Sequence, residues 1–95
     1  MEGVLWHVLA SSPGGTTRVR IIRAIDERPR NANQLADELG MDYTTIRHHL
    51  DVLMENNMVE RPTDDYGAVY LLTDALEAHR ETLSTVLATV EGDDG

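Results

Sequence analysis

The side chains best able to do chemistry in this 95-residue chain cluster at 43–48: a phenol at Tyr43, hydroxyls at Thr44 and Thr45, a guanidinium at Arg47 and an imidazole at His48. A guanidinium reads a guanine edge through two parallel hydrogen bonds, worth about 1–3 kcal/mol of discrimination. Hydroxyls near a helix start bind phosphate or lie against a thymine methyl, and Tyr43 is placed to do likewise or simply to pack. On a helical wheel of about 100° per residue with Ile46 at zero, Leu50 and Leu53 fall within about 40°. Thr44, His48, Asp51 and Glu55 fall on the opposite side, with Thr45 and Arg47 beside them. His49 lies about 60° from the apolar centre on the same wheel and reads as a half-buried packing histidine.

The elements that must position this helix precede it. Leu35, Ala36 and Leu39 repeat at helical spacing, and Gly40 supplies the left-handed residue that stops that helix. Asn31 with Gln34 three residues later forms a capping box at its start. Met41 tucks into the turn, and Asp42 caps the second helix, which runs from about Tyr43 to Asn56. Asn57 takes the slot where a glycine would usually end the helix, a geometry Asn tolerates. Two short helices, the second polar on its outer face, are the arrangement with which a helix-turn-helix reads the major groove.

Charge opposes that reading at first. Seventeen acids stand against eight basic residues, all of them Arg, for a net charge of −9. Nucleic-acid binders are usually basic. The absence of Lys and the acidic excess suggest a chain adapted to very high salt, where a hydrated acidic surface preserves solubility. At about 1 M salt the Debye length is roughly 3 Å, so distant acids barely repel DNA. The charge is also uneven. Residues 16–50 hold six Arg against five acids, a net of +1, whereas 51–95 hold two against eleven, a net of −9.

The remaining chain supplies supports. Val4, Leu5, Val8 and Leu9, with Trp6 between, predict an N-terminal helix over 1–12, either a dimer arm or a flap over its own core. Ser11–Gly15 is a loop, and Thr16 or Thr17 is expected to cap a helix reaching about Arg28, before Pro29. Val19, Ile21, Ile22 and Ile25 face inward there, and Arg18, Arg20, Arg23 and Arg28 face outward, toward phosphates or surplus acids. Met58–Arg61 and Ala68–Leu72, around the turn Asp64–Gly67, predict a β-hairpin where a wing would lie. Thr73 caps a last helix from Asp74 to about Val90. Leu76, His79, Leu83, Val86 and Val90 form an a/d seam on it, expected to pair with a two-fold partner rather than the chain's own first helix. Glu91–Gly95 should fray.

The run NQLADELGMDYTTIRHHLDVLMENNMVE resembles the helix-turn-helix of arsenic-repressor-type (ArsR-type) winged-helix regulators. The shared pattern is LA-x-x-LG, a turn, T-x-x-HHL-x-x-L, a helix end and a V-x-R strand, with Thr45, His48, His49, Leu50 and Leu53 in the matching places. Regulators of the multiple-antibiotic-resistance (MarR) type share much of it. The resemblance spans about residues 16–90. It implies a mainly α fold with a small β-hairpin, a winged helix-turn-helix with a three-helix core and wing over 16–72. It also implies operator binding, repression and a homodimer built from the terminal helices, 73–91 among them. The interface would then include Val4, Leu5, Val8, Leu76, His79, Leu83, Val86 and Val90. The cysteine pair of the family's metal sensors is replaced by Asn31-Ala32-Asn33-Gln34, so no metal or cofactor is expected.

The reading is therefore a single-domain, sequence-specific, DNA-binding transcriptional regulator with Tyr43, Thr44, Thr45, Arg47 and His48 as contacts. The rival is a winged helix that binds protein and has lost DNA, which the acidic second half and Asp64-Asp65 favour. No cysteine, glycine-rich phosphate loop or triad-like arrangement supports an enzyme. No apolar run approaches the roughly 18–20 residues of a membrane span, and the N-terminal apolar run lacks the basic start of a signal peptide, so a cytoplasmic protein is expected.

Overall fold

The structure, a computed structural model, describes residues 1–65 and 67–92. The helical chain begins with α1 (Glu2–Trp6), which runs on as a wider π-type turn over His7–Ser11. Then come α2 (Gly15–Glu27), α3 (Ala32–Leu39) and α4 (Tyr43–Glu55). Strands β1 (Val59–Glu60) and β2 (Leu71–Leu72) pair antiparallel, Val59 opposite Leu72 and Glu60 opposite Leu71. Helices α5 (Asp74–Glu77) and α6 (Arg80–Gly92) close the chain. No described helix is long and apolar enough to cross a membrane.

Local chemistry sets most boundaries as expected. Asn31 Oδ1 accepts from Gln34 N at 2.8 Å and Gln34 Oε1 from Asn31 N at 2.9 Å, a complete capping box. Gly40 closes α3 at φ +65° and Asn57 follows α4 at φ +58°. Asp42 accepts from Thr44 N, and Thr73 Oγ1 from Leu76 N. The start of α2 differs. The helix begins at Gly15 with Gly14 at φ +86°, and neither Thr16 nor Thr17 caps it. A Cβ on Gly15 would lie 2.5 Å from the Leu9 carbonyl oxygen, so close approach of α2 to the N-terminal helix, not hydroxyl capping, chooses the boundary.

One core joins all the helices. Leu5 and Leu9 of the first segment, Ile21 and Ile22 of α2, Leu35 of α3, Ile46, Leu50 and Leu53 of α4, and Leu83 of α6 are fully buried. The terminal seam is thereby corrected. Leu5, Val8, Leu76, Leu83, Val86 and Val90 are buried inside one chain, where α6 packs on the N-terminal segment. Glu2 Oε2 accepts from Thr82 Oγ1 at 2.8 Å across this contact. In a chain of this size the intramolecular partner is nearer at hand than a second copy, and it claims the apolar stripe. Val4 and His79 alone of the proposed interface residues keep substantial exposure.

Three further expectations change. The single last helix is broken between Glu77 and Arg80, without Pro or Gly. Beyond the break, Arg80 pairs with Asp26 of α2 and with Glu77, which ties the last helix to the core helices. Helix α6 continues through Gly92 where fraying was expected, and residues 93–95 lie outside those described. The hairpin is shorter than its alternation predicted. Val69 is exposed and Tyr70 is buried, paired in an isolated bridge with Arg30, and the turn residue Tyr66 lies outside those described.

Candidate nucleic-acid interface

Helix α4 is held by its buried edge, Ile46, Leu50 and Leu53, and by His49, which is only 8% exposed. Thr44, Thr45, His48 and Asp51 stand exposed on the other side, and Tyr43 is exposed at the first turn. Asp42 satisfies one N–H of the first turn, and other first-turn donors of any helix lack intrahelical partners and suit an anion. Three of the five expected contacts, Thr44, Thr45 and His48, thus share one open face, and Tyr43 stands at the cleft beside Arg47.

Arg47 does not lie on that face in the same way. It is half-buried, its guanidinium carbon 5.9 Å from the centre of the Tyr43 ring, with Nη1 donating to the Tyr43 hydroxyl at 3.1 Å. It turns toward a cleft of about 300 Å³ between α4, the start of α3 and the wing. Arg61 enters the same cleft from the strand end, 5.8 Å over the Tyr70 ring, and donates to Asp64 at 3.2 Å. Arg61 and Tyr70 were not singled out from sequence as contacts. The V-x-R strand at Val59–Arg61 was the only signal, and it needs the hairpin's position to be read.

The other arginines are committed to the fold. Pro13 ends the N-terminal helix, whose last carbonyls lack N–H partners. Arg18, expected outside, is buried and takes their place: Nε donates to Val8 O at 3.0 Å, Nη2 to Ser12 Oγ at 2.6 Å and to Pro13 O at 3.0 Å. Its Nη1 meets His49 Nδ1 at 3.1 Å, so a neutral His49 accepts there. Burial, then the neighbouring Arg18 and His48, hold the His49 pKa below its usual value. Arg30 does the same service for α2, donating to Ala24 O and Arg28 O and pairing with Glu38. Arg20 donates to Leu39 O, Arg23 pairs with Glu91 and Arg28 with Glu38. Among the described residues Arg47 is the one arginine that donates to neither a carboxylate nor a carbonyl.

A capped helix pair carrying an exposed polar helix, with a hairpin beside it, is the geometry of a winged helix-turn-helix. Residues 15–61 match the arsR family of bacterial regulatory proteins. The matched stretch is just under half of the chain and contains α2, α3, α4 and β1. The ArsR-family helix-turn-helix is thus the shared part, and the winged-helix fold extends beyond it. The transcriptional repressor BigR from Xylella fastidiosa superposes with a TM-score of 0.69 at 22% identity, covering 93% of this chain and 80% of its own. The regulator BldR from Sulfolobus solfataricus gives 0.69 at 18% identity, covering 97% and 67%. The repressor CouR, solved on a 23-mer DNA duplex, gives 0.69 at 22% identity, covering 95% of this chain but 66% of its own, slightly under two thirds. No curated protein matches the sequence significantly.

Proposed function

We propose that this chain is a DNA-binding transcriptional regulator that acts as a homodimer in the cytoplasm at high salt. One observation carries the reading: α4 of an ArsR-family helix-turn-helix presents Tyr43, Thr44, Thr45 and His48 outward while its opposite edge is locked in the core. A repressor of the same fold, CouR, is known on DNA. Thr45 and His48 then read base edges in the major groove, and Thr44 and Tyr43 hold the backbone. Repression follows when such a dimer covers a promoter. The two-fold contact uses the outer side of the N-terminal and last helices, where Trp6 (36% exposed) stands beside His79 and Thr82. The seam residues beneath stiffen that face rather than form it.

Fluorescence polarisation with genomic fragments in molar KCl tests the reading. Saturable, sequence-selective binding that His48→Ala relaxes is the expected outcome; absence of binding at every salt concentration refutes it. A second reading, a protein-docking winged helix, is favoured by the exposed Asp51, Glu55, Asp64 and Asp65 around α4 and the wing. Under it no variant of α4 would alter DNA affinity.

A further inference from the structure

The cleft between α4 and the wing holds the two arginines that the fold does not consume. Arg47 donates only to a tyrosine hydroxyl, and its Nε is buried without a partner among the described residues. Arg61 has the same orphaned Nε, and its Nη1 reaches the Tyr70 hydroxyl at 3.4 Å. Each guanidinium carbon lies within about 6 Å of a tyrosine ring centre, 5.9 Å for Arg47 on Tyr43 and 5.8 Å for Arg61 on Tyr70, a cation–π contact that positions it. Asn31 and Asn33, at the start of α3, line the same space. Five N–H donors in a fork match a phosphate far better than they match one phenol oxygen. Against this stand Asp64 and Asp65 on the rim. Asp64 is 95% exposed, yet it bonds Arg61. A carboxylate that projects into solvent and turns back onto an arginine occupies the arginine as a phosphate would.

We propose that this cleft is an oxyanion site for a phosphate of the DNA backbone, gripped by Arg47 and Arg61, and that Asp64 is a built-in competitor holding the phosphate's place. The proposal rests on the DNA-binding reading for its occupant. It makes Arg47 a phosphate-positioning residue and not a reader of guanine. Binding exchanges Asp64 for phosphate on Arg61, so Arg61 brings no net charge to DNA while Asp64 stays near. The wild-type salt dependence is therefore shallower than its arginine count suggests, and affinity survives in brine.

The test measures affinity of the full chain for a fragment it binds, across salt, in wild type, Asp64→Asn, Asp65→Asn and Asp64→Asn with Arg61→Gln. Asp65 sits on the same rim but does not pair with Arg61, so it controls for bulk charge. Asp64→Asn should tighten binding roughly two- to fivefold at low salt, the scale of an exposed ion pair. Its plot of log affinity against log salt should steepen by about 0.9, one more phosphate neutralised. Arg61→Gln should abolish both changes. Equal effects from Asp64→Asn and Asp65→Asn, or none from either, overturn the proposal and leave DNA binding standing. If wild type binds no DNA at any salt, the DNA reading itself has failed, and inorganic phosphate titrated into the free protein decides the cleft. Shifts of the Arg47 and Arg61 Nε–H signals by NMR, larger in Asp64→Asn, keep it as an anion site; unmoved signals overturn it.

Discussion

Replacing Arg18 with alanine separates the structure from the expectation that this arginine faces solvent. A solvated arginine on an exposed helix face contributes within about ±0.5 kcal/mol. The structure instead buries Arg18 to 4% exposure and gives it four acceptors: Val8 O, Ser12 Oγ, Pro13 O and His49 Nδ1. Water reaches Ser12 and Pro13 in the variant, because Ser12 is half-buried and Pro13 exposed. Val8 O keeps a donor in the Ser12 hydroxyl at 3.2 Å, whereas His49 Nδ1 stays buried and loses its donor, at about 1–3 kcal/mol. Burial also opposes the arginine's own charge, lowering its pKa, and truncation relieves that opposition. The expected loss is therefore about 1–3 kcal/mol, out of a total of about 5–14 kcal/mol for a domain of this length. In thermal melts that is a drop of about 5–20 °C. Urea denaturation followed by circular dichroism at 222 nm measures it directly, with Arg20→Ala as the exposed neighbour. A loss under about 0.5 kcal/mol for Arg18→Ala would mean that Arg18 is solvated and that the N-terminal helix is not tied to α4 through it.

Other outcomes follow from the same contacts. The lowered His49 pKa means that below its unfolded value of about 6.5 the unfolded chain takes a proton that the folded chain refuses. Stability should be complete above that pH and decline as pH falls toward 5. His49→Gln, which never protonates, should flatten this part of the melting-temperature profile, and parallel profiles would refute the assignment. Asp26, Glu38 and Glu91, whose pKa values are lowered first of all by hydrogen bonds from Arg80, Arg30 and Arg23, should add a separate loss below about pH 4.5. Gly15→Ala forces a Cβ onto the Leu9 carbonyl and should destabilise by about 1–3 kcal/mol in urea melts, whereas Gly3→Ala, with open space around it, should not. Trp6→Glu places charge on the side of the N-terminal helix beside His79 and Thr82. Sedimentation velocity should show the dimer converted to monomer with the helical spectrum retained; an unchanged sedimentation coefficient would remove that face from the interface.

The local grammar of the chain was legible in the sequence. The capping box at Asn31 and Gln34, the left-handed Gly40 and Asn57, the caps at Asp42 and Thr73, and the apolar edge of α4 depend on neighbours within a few residues, and all stand where the pattern put them. So does the outward set Thr44, Thr45 and His48, because a helix with one buried edge leaves its opposite side no choice. What the sequence could not reveal were the long-range partners. On a wheel of about 100° per residue Arg18 falls between Ile22 and Ile25 and Arg23 about 140° away, yet the wheel names no partner for either. Only the end of the N-terminal helix, ten residues back from Arg18, and His49, thirty-one ahead, make the first a buried cap, while Glu91 makes the second a surface pair. The seam of Leu76, Leu83, Val86 and Val90 is equally apolar whether it meets a second copy or its own first helix, and packing chose the latter. The sequence by itself thus determined the caps of α3 and α4 and the apolar edge of α4, while the start of α2 and the break in the last helix were set by packing and pairing. Tertiary structure alone decided which charges remain available, because burial and pairing belong to three-dimensional neighbours that no spacing rule encodes. In a chain with eight arginines, that decision leaves Arg47 and Arg61 at the mouth of the wing.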